Sequence, residues 1–596
     1  MKKRLVFIVQ LMLTAVCMAG PNSIAILQIR DLTKAVDQVV RVSEKLQLPV
    51  PPGMIQGQVG MLVMAPDFSG IDTAQPITLY VEKFSLEQDD PPAIVTRFSI
   101  KDDGTEYLAA VERMAPAREE VAPGVTKFVA GDPADADAPS FYVIIKESQA
   151  LAGQKLESIK ALAGDMSEQE KGVLAALPGE ISASINVAAV SELIADQVKQ
   201  QKAMIEMYKA QMEAEGMDTS EMFKNDPTAG LDAMTDMMTA VFAQLDLLVL
   251  NLDMSGDITI RTHMQPTPNS TLAAILEETT SPSTVISGHR EPNAIFSGFG
   301  TMKGMDRIIE PYAEWVASMY KQMGPPMDDF AEGYKQMMLG MKGIYSGGVS
   351  LMIKPPLPDA PFQMIGLYEI ADKAKAKQSM LDMMKMQEEQ GNSMTNAPFS
   401  ISISSVAEEP YKEVEIITYT ISYDFTDEAS GEAVPESISK LFSGITYSVA
   451  FMDQYLAFSF GSLESLHQVI DYVLGGGAPV PHRPGFADIA EEAMGYWNLD
   501  VAGVIHSIAA LLPPEMAGPL SAVQGIEASV RGLSVKELDG FSSMIRLTEA
   551  DLQGFMQIGM SLAPVGGPRS APPADDGMMM FDEEMETEAA EPAPEM

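Results

Sequence analysis

Apolar and polar positions change period repeatedly along the chain, and each change predicts an element. Ser23 to Ile29 is an apolar run of strand length, and Asp31 stands behind it where a helix N-cap belongs. From Leu32 to Leu48 the residues Leu32, Val36, Val39, Val40 and Leu46 approximate a helical stripe, and Pro49, Pro51 and Pro52 stop it. Strands are predicted around 57–64, 77–83 and 94–100, with turn chemistry at Asp89-Asp90-Pro91-Pro92 and Asp102-Asp103-Gly104. A strand at 141–146 is expected to lead through Ser148 into a helix near 149–163. Another at 182–187 leads into a long helix beginning near Val190, and strands near 246–252 and 257–263 follow. The order recurs in the second half, where a long helical insertion occupies 303–343. This pattern predicts an α+β fold with each sheet largely antiparallel and covered by helices on one face.

Recurrence suggests a tandem duplication. Gly57–Pro66 lines up with Gly347–Pro356, and Leu79-Tyr80 with Leu367-Tyr368. Phe141–Ser148 falls on Tyr455–Ser462, and at the same offset Ile185–Val190 falls on Leu499–Val504. Shorter matches join Ala25–Leu27 to Ala294–Phe296 and Ile260-Arg261 to Ile545-Arg546. The expected organisation is a leader at 1–19, a first lobe at 20–264, a linker at 265–283 and a second lobe at 284–563. The linker is marked by Pro266, Pro268 and Pro282 among Thr and Ser. A tail at 564–596 closes the chain, and its last 26 residues, Ala571–Met596, hold nine acidic and no basic residues, a disordered composition.

The leader reads as a signal peptide. Lys2, Lys3 and Arg4 precede the apolar stretch Leu5–Val16, which is too short to span a bilayer. Small residues then allow cleavage after Ala19, with Cys17 at −3. Acylation of Cys17 would make a lipoprotein instead, but Val16 stands where such signals want a small residue. Beyond the leader no run is long and apolar enough for a transmembrane helix, so an exported bacterial protein of the periplasm or exterior is expected.

Composition narrows the partners. The 596 residues carry 40 Lys+Arg against 83 Asp+Glu, a formal charge of −43 that excludes nucleic acid. Removing the three leader cations takes it to −46. One cysteine cannot form an internal disulfide, and it leaves with the leader.

Motifs for chemistry are mostly absent. The chain has no phosphate loop of the GxxxxGK[ST] form, no HExxH and no GxSxG, and its histidines (263, 289, 467, 482 and 506) show no metal-ligand spacing. Gly298–Gly304 misses the dinucleotide-loop spacing, and Asp132, Asp135 and Asp137 lack the glycine and distal glutamate of a calcium loop. No catalytic residue, cofactor or metal ligand is indicated, so a non-enzyme is expected.

Methionine is the unusual feature, 44 in all, clustered at 204–238, at 305–341 among aromatics, and at 380–394. Thioethers serve as adaptable core filler, as a pliable surface for an apolar ligand or protein, or as ligands for Cu(I). The insertion supplies the candidate binding residues Tyr312, Trp315, Met319, Tyr320 and Met323. The expected function is therefore binding or scaffolding in the envelope through Met- and aromatic-rich helices, with an apolar ligand or an envelope protein as partner. Two alternatives stand beside it: a secreted hydrolase whose carboxylates meet only in the fold, and Cu(I) handling by the methionine-rich segments.

Overall fold

The computed structural model describes residues 23–562, apart from 47–50, 83–92, 133, 136–137, 163–167, 178, 215–228, 291–292, 323–327, 358–359, 361, 392–398, 426–443, 478–484, 487–491, 513, 522, 524 and 538. The expected leader with its Ala19 cleavage position, the acidic tail and Met323 lie outside the described residues. Among the described residues helices and strands are mixed throughout, and twenty strands join one large antiparallel sheet.

The first ten strands are β1 (Ser23–Ile29), β2 (Ile77–Glu82), β3 (Ile94–Ser99), β4 (Ala117–Ala122), β5 (Val125–Val129), β6 (Ser140–Lys146), β7 (Gln149–Gly153), β8 (Ile181–Ile185), β9 (Leu245–Asp253) and β10 (Ile258–Pro266). Their pairings run β4-β5-β6-β7-β3-β2-β1-β8-β9-β10, each antiparallel. The next ten are β11 (Phe296–Thr301), β12 (Tyr345–Lys354), β13 (Gln363–Ile370), β14 (Phe399–Tyr411), β15 (Val414–Phe425), β16 (Ile445–Phe451), β17 (Tyr455–Phe460), β18 (Ala493–Asp500), β19 (Ser529–Lys536) and β20 (Phe541–Leu547). These pair in the order β14-β15-β16-β17-β13-β12-β11-β18-β19-β20. The last strands of the two series, β10 and β20, pair with each other, Ile260 opposite Ile545. This seam makes the sheet continuous from β4 to β14.

Burial of both sheet faces explains why the strands are apolar runs rather than clean alternations. Along β1, Leu27 and Ile29 join one core with Leu32, Phe98 and Tyr107, while Ile26 joins another with Tyr80, Val95 and Ile159. The expectation of helices on one face only is thus corrected: Leu32–Lys45 and Thr105–Met114 cover the first core, and Leu156–Leu162 the second. Asp31 caps its helix as expected, accepting from the Lys34 N–H at 2.9 Å.

Three other expectations change. Residues 52–61 form a helix, not a strand: Pro51 and Pro52 pre-set its first turn, and this short apolar run has no fixed period. Its match to Gly347–Pro356 therefore set a helix against β12. Residues 149–153 are β7, because the two-residue turn Glu147-Ser148, with Glu147 left-handed at φ 56°, closes a hairpin on β6. The helix there begins only at Leu156. Third, the helices Asp306–Gln322 and Asp328–Gly340 occupy the β11–β12 connection, and the β1–β2 connection carries two helices as well. The segment 303–343 thus fills a connection that is helical in both series, which removes the reason for calling it an insertion. Within 265–283, β10 runs on to Pro266 and Ser270 caps the helix Thr271–Glu278.

Candidate functional site

The helices rich in methionine form a packed succession. Val187–Ala214 packs against Ala229–Phe242, which packs against Asp306–Gln322; that helix packs against Asp328–Gly340, which reaches Lys373–Gly391. The first of these has 28 residues, about 42 Å of helix. Its start is anchored on the sheet by Val187, Ala189 and Val190, all buried, with the Asn186 side chain accepting from the Ala189 N–H at 3.1 Å. Its far half is different. Met204, Met207 and Tyr208 stand in solvent, Met207 67% exposed.

The predicted binding residues divide between surface and packing. Tyr312 is 44% exposed with its ring 5.8 Å from that of Trp315, which is half-buried. Tyr320 turns inward, 4.4 Å from Phe330 and 5.9 Å from Tyr334. Burial, and then the neighbouring Tyr312 and Tyr320 hydroxyls, push the Tyr334 pKa up. Met319 is half-buried, and the buried positions on these two helices include Ala313, Val316, Ala317 and Ala331. Methionine stands both inside and outside: Met212, Met352, Met384 and Met544 are buried, whereas Met204 and Met207 are exposed.

A second constellation sits on the seam. His263 lies on β10, and Glu537 and Asp539 lie in the turn from β19 to β20. Glu537 divides its carboxylate: one oxygen is paired with Arg261, and the other lies 2.8 Å from His263 Nδ1. Asp539 Oδ1 is 3.8 Å from His263 Nε2. Ser542, fully buried on β20, places its hydroxyl 3.2 Å from His263 Nδ1 and accepts from Arg261 Nε at 3.3 Å. Burial pushes the Glu537 pKa up, but the bonds from Ser542 and Arg261 and the charges of Arg261 and His263 outweigh it and leave a net lowering. The turn is pressed onto β10, since a Cβ on Gly540 would lie 2.2 Å from the Met264 carbonyl oxygen. Nothing in the histidine spacing signals this group, because its members meet only through β10–β20 pairing. The available cue was Arg261 and His263 on one face of a strand otherwise rich in Ile and Thr.

His289 is a contrasting case. Burial, with the Lys354 charge adding to it, pushes its pKa down to about 4, and Nδ1 lies 3.0 Å from the Ser350 hydroxyl. It is a neutral packing residue against the Tyr472 ring, 5.2 Å away.

No protein-family model matches the chain, and no curated protein or solved structure matches it either.

Proposed function

We propose that the chain is an exported, non-catalytic binding protein of the cell envelope that holds an apolar segment of a partner protein along its helical succession. The observation that carries this is the exposed set Met204, Met207 and Tyr208 on the outer half of Val187–Ala214. Large apolar side chains grouped in solvent favour a partner, and thioethers re-pack around varied surfaces at little cost. Charge favours a protein over a bilayer, because −46 on the mature chain is repelled by anionic lipid. Tyr312, exposed, and Trp315, half-buried, add aromatic area two helices further along the same succession.

We infer also that the chain is two tandem α+β lobes descended from one ten-strand unit. The shared pairing order supports this, as do two equivalent corners. The Asn186 N–H donates to the Ile24 carbonyl at 3.3 Å, and the Asp500 N–H to the Ile295 carbonyl at 2.8 Å. Each of these residues then caps a helix, Asn186 through the Ala189 N–H and Asp500 through the Gly503 N–H. Ile260 and Ile545, matched in sequence, sit opposite one another at the seam, where a local two-fold axis would pass.

Hydrogen exchange tests the binding claim. The protein recovered from its native envelope without dissociating agents is compared with the same protein purified alone. Backbone amides of 203–210 are expected to exchange at least about tenfold more slowly in the envelope sample. Equal rates in the two samples would contradict the proposal.

A further inference from the structure

We propose that His263, Glu537 and Asp539 form a divalent-cation site that ties the seam between β10 and β20. One donor atom from each residue lies within 4.8 Å of the others. Metal–nitrogen and metal–oxygen bonds of about 2.0–2.2 Å put adjacent ligand atoms about 3 Å apart. His263 Nδ1 and a Glu537 oxygen already stand 2.8 Å from each other. Asp539 stands 3.8 Å from the other ring nitrogen, Nε2, and swings toward Nδ1 to complete the set, which its 62% exposure in a turn allows, while Glu537 and His263 are held more tightly at 24% and 17%.

The surroundings are those of an oriented ligand set. Arg261 binds the Glu537 oxygen that does not face His263, which fixes the carboxylate and leaves the second oxygen directed at the imidazole. Ser542 reaches the same ring nitrogen from the buried side, a hydrogen bond that an ion on Nδ1 replaces. Arg261 is thus an outer partner of the Glu537 ligand, and such partners orient ligands and commonly govern affinity. The Glu537 N–H donates to the Gly540 carbonyl at 2.9 Å, and the close approach of Gly540 to Met264 holds the turn against the strand that carries His263. Two carboxylates against one guanidinium leave the pocket negative, as a cation requires.

One imidazole and two carboxylates suit Zn2+, Mn2+ or Fe2+ and do not suit Cu(I), which prefers sulfur. Three protein ligands leave at least one position to water, so the site is open. The ligands come from the last strand of the first series and the last turn of the second. An ion bound there stabilises the paired seam by mass action. The inference is independent of the helical surface, which lies on other elements.

The test uses the full mature chain, stripped with chelator and titrated with Mn2+ and Zn2+ in separate calorimetric experiments, with thermal midpoints recorded alongside. One ion per chain is expected, with a raised midpoint. Asp539→Asn, in an exposed turn where folding is not at risk, is expected to weaken affinity at least about tenfold, as is His263→Gln. Neither variant should gain the metal-dependent rise in midpoint. Two results would overturn the proposal: no binding of either ion up to about 1 mM, or equal affinity in wild type and Asp539→Asn, which would assign the binding to the acidic surface at large.

Discussion

Replacing Asp551 by alanine should release the helix Glu549–Ser561 from the sheet. The carboxylate is 4% exposed and serves four donors: the Ser529 N–H at 2.9 Å, the Thr548 N–H at 2.9 Å, the Thr548 hydroxyl at 2.5 Å and the Arg531 guanidinium. It thereby completes a capping box and binds the helix start to the first residue of β19. Loss of the cap costs about 1 kcal/mol. Loss of the partner of Arg531, itself only 17% exposed, strands a nearly buried cation, and breaking such a pair costs about 3–5 kcal/mol. The two terms share one side chain and do not add, so about 3–5 kcal/mol is expected for the whole change. A chain of this size need not unfold in one step, so the assay is local: exchange of the amides in 549–561. At 1.36 kcal/mol per decade, the lower end of the range accelerates exchange by at least about a hundredfold. Adding Arg531→Met to Asp551→Ala should recover part of the loss, since the stranded charge goes with it. Unchanged exchange in the single variant, or no recovery in the double, would refute the reasoning. The pH dependence has a definite sign. Burial pushes the Asp551 pKa up, but the Thr548, Arg531 and Ser529 bonds bring it below 3.8 overall. Its contribution is therefore complete above that value and is lost as pH falls through the folded-state pKa.

Other outcomes follow from single contacts. Trp497 on β18 lies across Gly532, where a Cβ would come within 2.2 Å of the indole nitrogen, so Gly532→Ala should cost about 1–3 kcal/mol and shift tryptophan emission in a Trp315→Phe background; an unaltered spectrum and midpoint would contradict the packing. His289, held neutral with a pKa of about 4 against the ordinary 6.5, stabilises the fold above pH 6.5 and should lose about 3 kcal/mol of that as pH falls to 4. In His289→Asn the fall in thermal midpoint over this range should be visibly shallower, and parallel curves would refute it. Met207→Glu, on an exposed helix face, should change stability by no more than about 0.5 kcal/mol in a denaturant titration, and a larger loss would place Met207 in a core.

Local signals carried the elements that were legible in sequence. Ser23–Ile29 with Asp31 behind it reads as strand and cap because both features depend on neighbours alone. Gln149–Gly153 did not, since Ala, Leu and Ala favour a helix and the turn before them has no Asn-Gly signature; pairing with β3 and β6 overrode the propensity. The matches at Ile185–Val190 and Ile260-Arg261 fall on corresponding strands of the two series, β8 with β18 and β10 with β20. Those at Leu79-Tyr80 and Phe141–Ser148 slip by one strand, because one short apolar strand in a sheet resembles the next. Aromatic clustering near Tyr320 was visible, but not that Tyr320 would pack inward while Met204 and Met207 stayed outside. For the cluster of His263 and Glu537 the sequence offered only the charged face of β10, since the seam alone brings the two together.

The binding claim is tested most directly from position 207. A photo-crosslinking residue placed there, in cells that produce the protein naturally, is irradiated alongside one placed at Glu157, an exposed position on another helix. The account predicts one discrete protein adduct from 207 and none of that mass from 157. No adduct from 207, or the same mixture from both positions, would contradict it.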